Sequence, residues 1–184
     1  MLNYVYQLIS PKTISVKYQD LDVTDQVIVK PDYLAVCHAD QRYYQGKRDA
    51  KVLRKKLPMA LIHEGCGTVL YDPTNTFHVG DKVVMIPNVL SDDREDAVYE
   101  NYRRNGGFLS SGRDGFMREF VNLSPDRLVK YENIAGHVAA ITEFVSVGMH
   151  GVDRFAKLAH RYTERIGVWG DGSLAFIVSS ILKH

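Results

Sequence analysis

The stretch RIGVWGDGSLAFIVSSILKH, residues 165–184, constrains the fold more strongly than any other part of the sequence. Its pattern predicts a strand, a glycine turn and a helix. A strand followed by a helix is half of a βαβ unit. The backbone hydrogen bonds of a parallel strand need a neighbouring strand. The sequence therefore predicts the first strand and helix of a doubly wound sheet, in a chain that is a piece of a longer protein.

The turn in this stretch has the glycine spacing of a dinucleotide-binding loop. Gly170 permits a tight turn, Gly172 lets a pyrophosphate approach the backbone, and the small Ala175 allows close contact between helix and strand. An ordinary turn can have the same spacing. The residue that would select NAD or NADP is expected about 20 positions further on, beyond residue 184.

The first half of the chain is dominated by short β-type runs with turns between them. Six such runs, NYVYQLI, TISVKYQ, DQVIVKPDYLAVC, GCGTVLYD, DKVVMIP and GFMREFVNL, predict a β-barrel-like domain. Helical spacing begins near residue 133. Residues 88–115 are polar and charged, and we expect a long surface excursion with one helical turn around residues 94–104.

Composition excludes several classes of partner. The 184 residues include 23 basic and 22 acidic side chains, for a formal net charge of +1, which favours neither nucleic acid nor a membrane surface. No apolar run approaches the ~18 residues of a membrane span. The two cysteines, Cys37 and Cys66, and an N-terminus without a signal-peptide pattern predict a cytoplasmic protein with free thiols.

Three residues could together form a metal site. Cys37 ends an apolar strand, His63 follows an apolar run, and Glu143 lies among apolar residues of a predicted helix, where a carboxylate is costly to bury alone. Such a set leaves the fourth position of a tetrahedral zinc open, as in catalytic sites. Each residue also has a simpler interpretation, as a core thiol, a hydrogen-bonded histidine or an exposed helix residue. Four further histidines could compete as ligands: His38, His78, His137 and His150.

The chain resembles the zinc-dependent medium-chain dehydrogenase/reductase family. Four segments carry this resemblance, CHAD, HEGCGTV, HVGDKVV and VWGDGSLA, and they occur in the family's order. TEFVSVGMHGVDR resembles the polyol-dehydrogenase type, in which the third zinc ligand is a glutamate. The resemblance implies a GroES-like zinc catalytic domain over residues 1–150, followed by the truncated start of a Rossmann domain over residues 151–184.

The resemblance also implies roles for individual residues. Cys37, His63 and Glu143 would hold one catalytic zinc, and Glu64 would support them or act as an occasional fourth ligand. Asp40 would orient the ligating imidazole by a hydrogen bond, although it could equally cap the short helix ADQRYYQG.

Two departures from the family pattern change what we expect. Ala39 stands where the family usually has the Ser or Thr that relays the alcohol proton. The absence of cysteine from residues 88–115 predicts that the second, structural zinc of many members is missing.

Within this family the chain closely resembles ribulose-5-phosphate reductases of bacterial teichoic-acid or capsule synthesis. VYQLISPK, ADQRYYQGKRD, LPMALIHEG and WGDGSLAFI carry the similarity. It implies NADPH-dependent reduction of D-ribulose 5-phosphate to D-ribitol 5-phosphate for CDP-ribitol synthesis. We also expect a homodimer and association with a ribitol-5-phosphate cytidylyltransferase. Residues 1–184 alone are expected to be inactive, because one strand and helix offer the pyrophosphate turn but no crevice between two halves of a sheet.

Two alternatives remain at this stage, a sorbitol-type dehydrogenase of unphosphorylated polyols and a non-catalytic zinc-binding module. A sugar phosphate needs cations, and the candidates are Arg42, Lys47 and Arg48, which could equally form a solvated turn. VLRKKLP, residues 52–58, is expected to be an exposed basic face.

Overall fold

The computed structural model describes residues 1–89, 106–160 and 164–183. It divides into two compact units, Met1–Ala140 and Ile141–His184, which we describe separately. The helical turn expected at residues 94–104 lies outside the described residues.

A three-stranded antiparallel sheet opens the first unit. Strands β1 (Leu2–Ser10) and β2 (Thr13–Asp20) form a hairpin, and β4 (Met59–Ala60) pairs with the other edge of β1. Lys12 turns the hairpin with a φ of 62°. Along β1 alternate side chains are buried, as period-2 patterning predicts for a strand with one face on a core.

A five-stranded antiparallel sheet forms the centre of this unit. Its order is β10 (Leu128–Lys130), β6 (Lys82–Met85), β5 (Glu64–Tyr71), β3 (Val27–Ala35) and β9 (Val121–Leu123). β3 continues through Pro31, and its register with β5 shifts between Pro31 and Tyr33. Proline lacks an N–H for the ladder, so a bulge accommodates it without ending the strand.

Both sheets contribute to one hydrophobic core. Leu8 of β1 and Met59 of β4 belong to the same cluster as Val29 of β3, Val69 of β5 and Val121 of β9. The sheets curl into a half-barrel, which confirms the mixed β/α, GroES-like class predicted for this part of the sequence.

Short elements complete the unit. They are the helices α1 (His38–Tyr44), α2 (Ala50–Lys56) and α3 (Gly136–Ala139), and the two-stranded pair β7 (Asn88–Val89) and β8 (Gly107–Phe108). The predicted strand GFMREFVNL forms only at its end, in β9, because residues 115–117 bond instead to the backbone of residues 60–62.

The second unit consists of α4 (Thr142–Leu158) and α5 (Ser173–Lys183). The helices approach closely at Gly148, where a Cβ atom would lie 2.9 Å from Ile177 Cγ2. The domain boundary predicted at residue 150 falls inside α4, and the compact units divide earlier, after Ala140.

The strand predicted at RIGVW is not formed, since residues 165–170 have no regular structure. A strand needs a neighbour for its ladder, and no described residue of this unit is in a strand. Among the described residues, no helix has the length and apolar character needed to cross a membrane.

Candidate metal centre

Strand pairing brings Cys37 and His63 together. Cys37 follows β3, and His63 precedes β5. Because β3 and β5 are antiparallel and Ala35 pairs with Glu64, the end of one strand lies beside the start of the other. Cys37 Sγ lies 3.7 Å from His63 Nε2, although the residues are 26 positions apart in sequence.

The separation of these two atoms fits a shared zinc ion. With Zn–S of about 2.3 Å and Zn–N of about 2.05 Å, a tetrahedral angle places the sulfur and the nitrogen about 3.6 Å apart. Asp40 completes a cluster with them, in which the ligand atoms all lie within 4.8 Å of one another. The donor set therefore has the chemistry and spacing of a zinc site.

Asp40 is the buried anchor of the cluster, with 2% of its surface exposed. It accepts hydrogen bonds from Cys37 N at 3.1 Å, Ile62 N at 3.0 Å and Ser110 Oγ at 3.0 Å. The Cys37 thiol also donates to Asp40, at 3.1 Å. The carboxylate thus connects the start of α1 to two segments that are distant in sequence.

Two expectations for Asp40 are wrong in detail. Cys37 is the N-cap of α1, and Asp40 is the third helical residue, which completes a capping box with it. The predicted hydrogen bond to the ligating imidazole is also missing, since His63 Nδ1 is buried and has no partner among the described residues. Both carboxylate oxygens of Asp40 are already engaged by closer donors.

Burial sets the protonation states of the cluster. Desolvation, with a smaller contribution from the Asp40 hydrogen bond, raises the pKa of the Cys37 thiol to about 12. Desolvation lowers the pKa of His63. A neutral imidazole is the form that binds metal, and a bound cation displaces the thiol proton.

Two residues near the cluster carried no sequence signal. The Phe108 ring meets the His63 ring edge-on, with centroids 5.1 Å apart. Ser110 bonds to Asp40 across a sequence separation of 70 residues. In the sequence, Phe108 and Ser110 look like ordinary surface residues of a polar stretch. Only the folded structure shows that they contact His63 and Asp40.

The two predicted glutamates occupy different units. Glu64 begins β5 and is buried, with 4% of its surface exposed. Glu143 lies in the first turn of α4, in the second unit, where burial raises the pKa of its carboxyl group. Its place as the third zinc ligand stays a prediction.

The residues suggested for phosphate binding have contacts of their own. Arg42 Nε donates to Lys47 O at 3.3 Å, and the Arg48 guanidinium lies 4.7 Å from the centroid of the Tyr43 ring. Lys47 is exposed. These contacts stabilise the turn after α1, and a role in substrate binding stays a prediction.

The predicted nucleotide turn has part of its expected geometry. Gly170 has a φ of 141°, which favours glycine, and a Cβ atom there would lie 3.3 Å from Ala175 Cβ. Gly172 O accepts a bond from Phe176 N at the start of α5. The backbone conformation at residue 170 therefore favours glycine, and a Cβ atom there would be in tight contact with Ala175. Cofactor binding by Gly170, Gly172 and Ala175 stays a prediction.

Comparison with known protein families shows which family this chain belongs to. Residues 23–133 match the alcohol dehydrogenase GroES-like domain. The chain belongs to this family. Membership confirms the resemblance to zinc-dependent medium-chain dehydrogenases, and similar proteins are named reductases and dehydrogenases.

The relatives of this family member include named enzymes. The chain is 60% identical to the ribulose-5-phosphate reductase of Streptococcus pneumoniae and 48% identical to that of Bacillus spizizenii, over 100% of the chain and 54% of each relative. A structure of S. aureus TarJ in complex with NADPH has a TM-score of 0.78 and 39% identity, over 100% of this chain and 50% of that one. The chain thus spans about half the length of its relatives.

Proposed function

We propose that this chain is the metal-binding part of a zinc-dependent reductase that converts D-ribulose 5-phosphate to D-ribitol 5-phosphate with NADPH. The observation that carries the proposal is the Cys37–His63 pair, whose 3.7 Å separation suits a tetrahedral zinc. The name of the 60% identical relative supports the substrate, and the NADPH complex of a similar structure supports the cofactor.

In this proposal the chain's residues bind and orient. Cys37, His63 and Glu143 would hold one zinc, and Glu64 would support them or act as an occasional fourth ligand. Asp40 keeps Cys37 in place through the capping box. When bound, zinc supplies Lewis-acid polarisation of the C2 carbonyl, and NADPH supplies the hydride. Ala39 has no proton to give, so the product oxygen receives its proton from water or another side chain.

The proposal extends to the surroundings of the enzyme. The product would feed a cytidylyltransferase that makes CDP-ribitol, in the cytoplasm, and the reductase would be a homodimer. Residues 1–184 alone are predicted to be inactive.

The substrate is tested in the whole protein by comparing kcat/KM for ribulose 5-phosphate and for ribulose, with NADPH at fixed zinc. Two charge-assisted hydrogen bonds to the phosphate should make kcat/KM for ribulose 5-phosphate about two to four orders of magnitude higher than that for ribulose. Equal values would indicate a plain polyol dehydrogenase, and zinc binding without turnover would indicate a non-catalytic module.

The metal is tested by elemental analysis after zinc reconstitution. We expect one zinc per wild-type chain and loss of zinc from Cys37→Ala. The matched control is Cys66→Ala, because Cys66 is the other thiol and donates to Gly136 O, away from the cluster. Zinc retained in Cys37→Ala, or two equivalents in the wild type, would contradict the proposal.

A further inference from the structure

Three arginines line a cavity in the first unit. It measures about 460 Å³, and its polar lining includes Arg113, Arg118 and Arg127, together with Asn122 and Ser124. None of the metal-centre residues Cys37, Asp40 and His63 lines it. The volume lies within the usual range of small-molecule sites.

The side chain of Arg118 is the strongest evidence that this cavity binds a ligand. Its Nε is buried and has no hydrogen-bond partner among the described residues. The Nη2 atom makes a long contact of 3.4 Å to Asp114 O. A buried charged donor without an acceptor is costly, and such groups are normally satisfied by protein, ordered water or a bound ion.

The charges around the cavity favour an anion. Among the described residues, the lining carries three guanidinium groups and a single carboxylate, that of Asp114. This carboxylate is already engaged, since it accepts from Gln7 Nε2 at 2.8 Å and from Ala60 N at 2.7 Å. Arg127 is paired with Asp126 at 2.8 Å, outside the lining. Arg113 is exposed at the edge of the cavity.

We propose that this cavity binds a phosphate-bearing small molecule, at a site separate from the candidate metal centre. The planar guanidinium fork matches phosphate oxygens in pairs, which gives stronger hydrogen bonds than a neutral donor would. Asn122 and Ser124 also line the cavity, where the Asn122 amide donates to Gln26 Oε1 and the Ser124 hydroxyl donates to Asp126 Oδ1. The site does not depend on the proposed reductase activity.

The test uses inorganic pyrophosphate as the probe, titrated into the whole protein and followed by calorimetry at low ionic strength. We expect saturable binding that Arg118→Gln and Arg113→Gln each weaken by about tenfold or more. Arg54→Gln is the matched control, because Arg54 is an exposed arginine on α2 that does not line the cavity. It should leave the affinity unchanged.

Further measurements separate this site from others. Cys37→Ser should retain pyrophosphate binding, since the metal centre is not involved, and circular dichroism checks that Arg118→Gln is folded. Arg113 is exposed, so its variant gives a result even where Arg118→Gln fails to fold. No binding at millimolar pyrophosphate would overturn the proposal. So would equal losses in Arg113→Gln and Arg54→Gln, binding unaffected by Arg113→Gln, or loss of binding in Cys37→Ser.

Discussion

The carboxylate of Asp40 joins parts of the chain that sequence order keeps far apart. It accepts from Cys37 N, from Ile62 N and from Ser110 Oγ, in a buried position. Its hydrogen bonds hold Cys37 close to His63.

Replacement of Asp40 should therefore reduce both stability and metal binding. We expect Asp40→Ala to lower the free energy of unfolding by roughly 2–4 kcal/mol, because several buried donors lose their acceptor. Zinc affinity should fall about 10–100-fold, as for other residues that support metal ligands. Urea unfolding and zinc titration measure these effects. Ser110→Ala, which removes one bond, should cost only about 1 kcal/mol, and equal losses in the two variants would contradict this account.

The surface ion pair between Lys130 and Asp81 leads to a second prediction at the residue level. The hydrogen bond from Lys130, at 2.8 Å, holds the pKa of Asp81 below its ordinary value, helped by the bond from His78 N. A lowered folded-state pKa contributes stability that is present above the unfolded pKa, near 3.9, and is lost as the pH falls through the folded value.

Removing this ion pair should change how the free energy of unfolding depends on pH at acidic pH. We expect the difference in unfolding free energy between wild type and Asp81→Asn to shrink as the pH falls below about 4. Lys130→Gln should show the same trend, because it removes the partner that lowers the pKa. Chemical unfolding at a series of pH values provides the measurement, and a difference that stays constant across that range would count against the pair.

At the level of elements, the segment before β9 is held by backbone bonds. Gly115 N donates to Ala60 O at 2.8 Å, and Phe116 N donates to Ile62 O at 2.6 Å. The two stretches run so close that a Cβ atom on Gly115 would lie 2.3 Å from Ile62 O and 2.5 Å from Leu61 O. The contact fixes the chain immediately before His63.

A pair of glycine substitutions tests this close approach. Gly115→Ala should destabilise the protein by at least about 2 kcal/mol, because backbone atoms rather than flexible side chains must move. Gly151→Ala in α4 is the control, since no atom of the described residues beyond its own helix backbone and chain neighbours lies within 4 Å of its Cβ position. It should stabilise the helix by about 0.5–1 kcal/mol. Thermal unfolding compares the two variants. Equal changes in melting temperature would show that the space between Gly115 and the backbone of residues 61–62 can hold a methyl group.

For the whole molecule, the candidate metal centre connects ligand binding to folding. A ligand that binds only the folded state adds stability according to its concentration relative to its dissociation constant, about 2.7 kcal/mol at a hundredfold excess. Cys37 and His63 come from two strands that are adjacent only in the folded sheet.

We therefore expect a chelator to lower the melting temperature of the wild-type protein. The same treatment should leave Cys37→Ser unchanged, because that variant lacks a ligand for the metal. Differential scanning calorimetry, with and without chelator, makes the comparison. An identical shift in both proteins would show that the metal binds elsewhere.

Local patterns in the sequence determined much of this fold. Alternation in NYVYQLI predicted β1, and apolar spacing predicted α4. The same reasoning failed at RIGVW, because a strand is completed by a neighbour that no described residue of its unit provides. It also failed at residues 115–117, where bonding to residues 60–62 replaced regular strand pairing.

The sequence by itself determined which residue types could bind a metal, and the family resemblance selected Cys37 and His63 among them. Only the tertiary structure decided that their side chains meet, that Asp40 bonds to Ser110 rather than to the imidazole, and that arginines line a separate cavity. The physical reason is range. Periodicity and turn chemistry act over a few neighbouring residues, whereas the register of β3 on β5 sets which distant side chains come into contact.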